Sequence, residues 1–156
     1  DMTVAESLAT AVAVQAGESR VFWRSFAASR RLHDRAAALA ESVGLADRRD
    51  ELVRHLSYGS QRQLEIALAL AAEPVLLLLD EPTAGMSPEE THAMQRLIAS
   101  LPRDLTLLLI EHDMDVVFDI AERITVLDYG RVLVQGPPAD IRKSPIVRQI
   151  YLGEAA

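Results

Sequence analysis

Five consecutive apolar residues, Val75-Leu76-Leu77-Leu78-Leu79, run without polar alternation into Asp80-Glu81-Pro82. A short unbroken run of this kind predicts a strand covered on both faces, as the central strands of a parallel α/β sheet are. Pro82 has no backbone N–H to give to a ladder, so pairing ends there and two carboxylates emerge at the carboxyl edge of the sheet. Open α/β sheets bind their ligands at that edge. Alternation along a strand sends Asp80 and Glu81 to opposite sides, which lets the two acids hold different roles. A hard carboxylate suits Mg²⁺ beside phosphate oxygens, directly or through water. The next acid is then placed to orient or deprotonate an attacking water.

Upstream, Leu56-Ser57-Tyr58-Gly59-Ser60-Gln61 leads into a helix expected over Ser60 to Ala72. The first amides of a helix lack intrahelical partners, and together with the positive dipole end they favour an anion. Gly59 lets backbone approach a phosphate with no Cβ in the way. An ordinary serine cap explains the same residues locally. Downstream, Ser87 as N-cap, Pro88 at the first helical position and Glu90 three residues after the cap make a complete start signal for a helix reaching about Leu101. A second apolar run, Leu105 to Ile110, reads as the parallel neighbour of the Asp80 strand and ends in Glu111-His112-Asp113. Right-handed crossovers would bring His112 to the same edge as the acids. A lone histidine at a strand end is commonly a structural residue, and His33, His55 and His92 read as surface residues. A metallohydrolase reading lacks any His-x₃-His pairing.

Leu56-Ser57-Tyr58-Gly59 with Gln61, Ile66 and Ala67, then Leu77-Leu78-Leu79-Asp80-Glu81-Pro82-Thr83, then Ile110-Glu111-His112-Asp113, together resemble the ATP-binding cassette (ABC) transporter ATPases. The order matches their signature loop, Walker B motif, D-loop and switch histidine. The form Leu-Ser-Tyr-Gly, with Ala84-Gly85-Met86-Ser87-Pro88-Glu89-Glu90 and the tail Tyr151-Leu152-Gly153-Glu154, is most similar to the ATPase subunits of bacterial branched-chain amino acid importers. The resemblance implies an α/β fold: a partial P-loop NTPase (RecA-like) core with parallel strands, plus an α-helical subdomain at the amino terminus. It implies ATP and Mg²⁺, with Asp80 holding the metal, Glu81 as general base and His112 sensing the γ-phosphate. Ser57, Tyr58, Gly59, Ser60 and Gln61 would bind the nucleotide of a second ATPase subunit in a head-to-tail dimer. Ser87 would stand in the D-loop, where the family usually has aspartate. Ser60 replaces a common glutamine, and Gln63 and Leu68 replace frequent arginines. Further implied partners are transmembrane permease subunits, which would place the protein peripherally on the cytoplasmic face of the bacterial inner membrane.

A phosphate-cradling loop of the form Gly-x₄-Gly-Lys-[Ser/Thr] cannot occur, because the only lysine, Lys143, follows Arg142. Thr3 to Leu8 is similar to the segment that follows the Q-loop in the family. The expectation is therefore a carboxyl-terminal portion of such an ATPase, which alone binds ATP poorly and does not turn it over. Its half-sheet would expose an apolar edge and face and so promote self-association.

The rest of the chain fits that frame. At 156 residues it has one domain's length and can bury about 70% of its unfolded surface. The net charge of -7 and pI near 5.1 argue against a nucleic-acid partner. Cysteine is absent, which excludes a disulfide framework and thiolate metal sites. No apolar run approaches the ~20 residues of a membrane span, and the amino terminus lacks the basic-then-apolar pattern of a secretory signal. Residues 1–55 read as a helical subdomain, 56–136 as the motif-bearing core and 137–156 as a helical tail.

Thr3 with Glu6 caps a first helix ending at Gly17, and a longer helix runs from Glu18 or Ser19 to Val43 with Gly44 as its stop. On that helix Arg20, Arg24, Arg31 and Arg35 form a polar stripe, while Phe22, Trp23 and Phe26 could meet a partner subunit. Arg123 to Gly136 reads as a hairpin turning at Tyr129-Gly130. Two other functional classes fit the chain: a docking or assembly module that uses no nucleotide, and a soluble ABC-type ATPase of DNA repair or translation. The acidic balance and the lack of an inserted coiled coil weigh against the second.

Overall fold

The computed structural model describes residues 2–17 and 30–151. Phe22, Trp23, Phe26, Arg20 and Arg24, with the first part of the expected long helix, lie outside the described residues. The chain divides into two compact units, Asp1–Leu109 and Ile110–Ala156.

The first unit opens with helix α1, Val4–Gln15, started by a full capping box: the Glu6 amide donates to the Thr3 hydroxyl and the Thr3 amide to the Glu6 carboxylate. Val4, Leu8 and Val12 recur every fourth residue and are buried with Ala9 and Ala13. Helix α2, Arg30–Ser42, packs Leu32, Ala36 and Ala40 toward α1. Gly44 ends it at φ +76, and the Leu45 amide reaches back to the Ala40 carbonyl at 2.8 Å, a Schellman closure with Leu45 buried behind it. Helix α3, Tyr58–Ala71, completes the layer, with Val12, Ala13, Leu32 and Ala71 in one cluster. Each fully buried leucine here stabilises the layer by roughly 1.5–3 kcal/mol. On α3, Leu64, Ile66, Ala67 and Ala71 are buried, whereas Leu68 and Leu70 are half-buried. The helix meets α1 and α2 on one side and α4 on another, so its covered surface is wider than one stripe.

The backbone of Met2 to Ala5 ties down the connection between α2 and α3. Thr3 bridges to Leu52, the Val4 amide donates to Glu51 and the Ala5 amide to Arg49. Two short 3₁₀ turns, Ala46–Arg48 and Val53–His55, carry that connection into buried Leu56. The chain then runs through β1, Leu76–Asp80, helix α4, Pro88–Ala99, and β2, Thr106–Ile110. β1 and β2 pair in parallel, with α4 as crossover and Met94, Leu97 and Ile98 as its buried face.

The strands differ from the expectation of cover on both faces. Along β1 burial alternates: Leu77 is 6% exposed, whereas Leu78 is 63% and Val75, just before the strand, 83% exposed. In β2, Leu108 and Ile110 are exposed while Leu107 and Leu109 are half-buried. One face of the pair is covered and the other is open, in accord with the apolar face expected of a half-sheet. Two strands with one crossover helix supply a single covering layer, while a central parallel strand has two.

The second unit begins at Ile110. Helix α5, Met114–Ile120, starts on an Asp113 cap, and strands β3, Ile124–Asp128, and β4, Arg131–Gly136, form an antiparallel hairpin. Its register shifts at Val126 and Leu127. Tyr129 and Gly130 both have positive φ, 43° and 74°, as a type I′ turn requires. Helices α6, Pro138–Lys143, and α7, Pro145–Tyr151, follow the break at Pro137-Pro138. Ile124, Val126, Ile141 and Val147 form the core of this unit. The Arg142 guanidinium lies 4.2 Å over the Phe118 ring, and the Tyr151 hydroxyl donates to the Leu127 carbonyl.

Candidate functional site

Within the first unit two helix starts come together, that of α3 at Ser57 and that of α4 at Ser87. Ser57 is extended, φ −60° and ψ 161°, and its hydroxyl accepts from the Ser60 amide, so the serine cap expected at α3 is present. Ser87 has the same conformation and caps α4 in a capping box with Glu90. Glu90 does more than close that box. Its Oε2 accepts from the Ser87 amide at 3.1 Å, while Oε1 accepts from the Ser57 hydroxyl at 2.9 Å and from the Gly59 amide at 3.3 Å. One carboxylate therefore joins both loops.

The donors that sequence reading reserved for phosphate hold a carboxylate oxygen. The glycine at position 59 has a corresponding reason, because a Cβ there would stand 2.7–3.0 Å from the Glu90 carboxylate and its γ-carbon. Charge-assisted hydrogen bonds stabilise the ionised form. The Ser87 amide first, then the Ser57 hydroxyl, hold the Glu90 carboxyl below its usual range, and desolvation opposes them.

The other loop residues are engaged locally. The Tyr58 hydroxyl accepts from Arg62 at 2.9 Å, and the Arg62 guanidinium, 5.2 Å from the ring centroid, also pairs with Glu65 at 2.7 Å. The Arg62 guanidinium is held above its ordinary pKa, first by the Glu65 hydrogen bond and then by Tyr58. The Gln61 amide donates to the carbonyls of Leu56 and Val53, which fixes the approach to Ser57. Ser60 Oγ lies 3.3 Å from Ser57 Oγ and 3.4 Å from an Arg48 nitrogen.

Asp80 is the last residue of β1 and sits on its open face, in step with Leu76 and Leu78. Glu81 is not a continuation of the strand. It takes a left-handed conformation, φ 45°, and its carbonyl accepts from the Ala84 amide in a turn. The alternation argument therefore stops at Asp80, and the turn sets Glu81's direction. For a residue with a side chain that conformation costs about 1–2 kcal/mol, and such positions gather at functional sites. Thr83 is buried, and the Met86 amide donates to its carbonyl, which closes a second turn before Ser87. His112 belongs to the second unit, between the end of β2 and the Asp113 cap of α5. His33, His55 and His92 are exposed.

Two residues escaped the sequence reading. Glu90 was legible only as a cap, because nothing local marks a contact to residues 31 and 33 positions away. Arg48 falls within residues 1–55, where nothing in the sequence marks a contact to Ser60. Among the described residues no group of three or more His, Cys, Asp or Glu could hold a metal ion. No described helix is long and apolar enough to cross a membrane.

With this geometry in place, comparison with known proteins gives consistent relatives. A family model described as "ABC transporter" matches residues 1–84, and one described as "Branched-chain amino acid ATP-binding cassette transporter" matches residues 131–156. The chain is similar to the high-affinity branched-chain amino acid transport ATP-binding protein LivG of Salmonella typhimurium, 46% identical over 124 residues, which are 78% of this chain and 49% of LivG. It is similar to the corresponding BraF of Pseudomonas aeruginosa, 44% identical over 122 residues, 77% of this chain and 48% of BraF. The chain thus spans about half the length of these curated relatives. Among solved structures, MJ1267, an ATP-binding cassette of an ABC transporter in its ADP conformation, matches with a TM-score of 0.74 and 25% identity, covering 98% of this chain and 63% of that one.

Proposed function

The chain belongs to the ABC transporter ATP-binding family, and from that premise we propose that the complete protein hydrolyses ATP between two copies of itself and so energises import of branched-chain amino acids. Transmembrane permease subunits are its partners, on the cytoplasmic face of the bacterial inner membrane. The amino acid specificity is supported by the names of LivG and BraF and by the match of residues 131–156.

The observation that carries this reading is the pair of donors at the start of α3. The Ser57 hydroxyl and Gly59 amide converge on one anionic oxygen, so they suit a phosphate oxygen in the same way. In this reading they bind the γ-phosphate of nucleotide held by the second copy, with Tyr58, Ser60 and Gln61 shaping the loop and Ser87 crossing the interface. The residues fit Mg²⁺ as well: Asp80 is a single exposed carboxylate at a strand end, and Mg²⁺ takes one or two carboxylates together with phosphate oxygens and waters. When bound, the ion neutralises charge that develops on the transferred phosphoryl group. Glu81 accepts the proton of the attacking water as its oxygen bonds to the γ-phosphorus and the bond to the bridging oxygen of ADP breaks, leaving ADP and phosphate. His112 donates a hydrogen bond to the γ-phosphate.

The test is Glu81→Gln in the complete cassette assembled with its permeases. Steady-state hydrolysis is expected to fall by about 10²–10⁴, the worth of a positioned general base, while nucleotide-driven association of two copies persists. Undiminished hydrolysis by that variant would overturn the assignment. Uptake of labelled leucine in preference to methionine by the same assembly checks the transported class.

A further inference from the structure

The Ser57 hydroxyl carries one proton, and in this structure it is given to Glu90 Oε1 at 2.9 Å. The Gly59 amide carries one as well, given to the same oxygen at 3.3 Å. The proposed function assigns both donors to a phosphate oxygen of nucleotide. A carboxylate and a phosphate cannot share them, since each donor has a single proton and two anions in contact repel. Glu90 is also not a passing neighbour. Its backbone is fixed as the third residue of α4, its Oε2 is anchored on the Ser87 amide, and it packs so closely on Gly59 that a Cβ there would make its carboxylate shift.

We propose that the Glu90 carboxylate is the resting occupant of the Ser57–Gly59 anion cradle, and that a phosphate oxygen enters only as this carboxylate leaves. The inference rests on the assignment of that cradle to phosphate and adds to it an internal competitor. Because the same carboxylate grips Ser87, its displacement is felt at both helix starts together. Phosphate arriving at Ser57 thereby changes the loop at Ser87 within one subunit. A capping box alone does neither, because it needs only the bonds between Ser87 and Glu90.

The experiment uses the 156-residue chain, with inorganic phosphate as probe and the backbone amides of Gly59, Ser60 and Ser87 as reporters in ¹H–¹⁵N spectra. Glu90→Gln is the informative variant, since glutamine serves at this position of a capping box and keeps α4 started. Glu89→Gln, at an exposed neighbour, removes the same charge away from the cradle. Phosphate is expected to bind Glu90→Gln about three- to tenfold more tightly than the parent, the difference between a charge-assisted and a neutral internal bond. Glu89→Gln should match the parent, and Ser57→Ala in the Glu90→Gln background should lose the gain. In the parent, the Ser87 amide should shift along the same binding curve as Gly59. Equal phosphate affinity in the parent and Glu90→Gln, with Gly59 responding in both, would overturn the proposed competition and leave the phosphate cradle standing. No response at Gly59 or Ser60 in either protein would overturn the cradle and the competition together.

Discussion

In the β3–β4 hairpin, Ile124 and Val126 are buried against Ile141 and Val147, and the helices that cover them begin right after the last strand. In β1 and β2, a sequence at least as apolar leaves Leu76, Leu78, Leu108 and Ile110 exposed, with Leu77, at 6%, the one buried side chain of the two strands. Both pairs carry the side-chain alternation of strands, although one is parallel and the other an antiparallel hairpin. Cover distinguishes them. Each pair has one open face, since Leu127, Val132 and Leu133 of the hairpin are exposed too, but the hairpin's cover leaves Ile124 and Val126 each 6% exposed, whereas β2 has no side chain buried that far. An unbroken apolar run thus reports what a strand can tolerate on its two faces, and it does not report that the described chain supplies both.

The sharpest way to break this comparison is to empty the hairpin's core. Ile141 is fully buried and belongs to the cluster with Ile124, Val126 and Val147. Ile141→Ala is expected to cost about 2–5 kcal/mol, the range for truncating a buried aliphatic side chain. Urea unfolding followed by amide exchange in β3 and β4 would read it. A cost under about 1 kcal/mol would mean that the hairpin's cover is loose and that the two strand pairs are alike.

Legibility in the sequence followed the same division between local and distant. The caps at Thr3, Ser57 and Ser87, the stop at Gly44 and the turn at Tyr129-Gly130 could all be placed from neighbouring residues, because each is satisfied by groups within about five positions. The order of the motifs was equally visible, and with it the family. Glu90's grip on Ser57 and Gly59 was invisible, since it depends on how α3 and α4 approach each other and both ends of the contact read as ordinary caps. Glu81's left-handed turn was hidden for a related reason: an aspartate and a glutamate after an apolar strand look like two more strand residues until the turn bonds at Ala84 and Met86 are known.

A smaller effect of opposite sign sharpens the contrast at the hairpin's turn. Tyr129 is 98% exposed and holds φ 43°, a conformation that asparagine tolerates better than an aromatic residue. Tyr129→Asn should therefore stabilise the second unit by about 0.5–1 kcal/mol, a gain of the size found when turn chemistry is improved. Thermal unfolding of the variant beside the parent measures it. A loss of stability would show that the Tyr129 ring finds cover that its exposure denies.

The smallest expected effect is the most direct probe of the open face. Leu78 and Leu77 are adjacent leucines of one strand, 63% and 6% exposed. A side chain that keeps most of its surface in water in the folded state has little transfer free energy to lose on truncation. Leu78→Ala should therefore change stability by no more than about 0.5 kcal/mol, as surface substitutions do. The measurement is denaturant unfolding at a low and a tenfold higher protein concentration. A cost of several kcal/mol at the high concentration alone would mean that a second copy covers the face in solution, because stability gained by association grows with concentration. The same cost at both concentrations would mean that the chain covers Leu78 itself, and the difference between the two strand pairs would disappear.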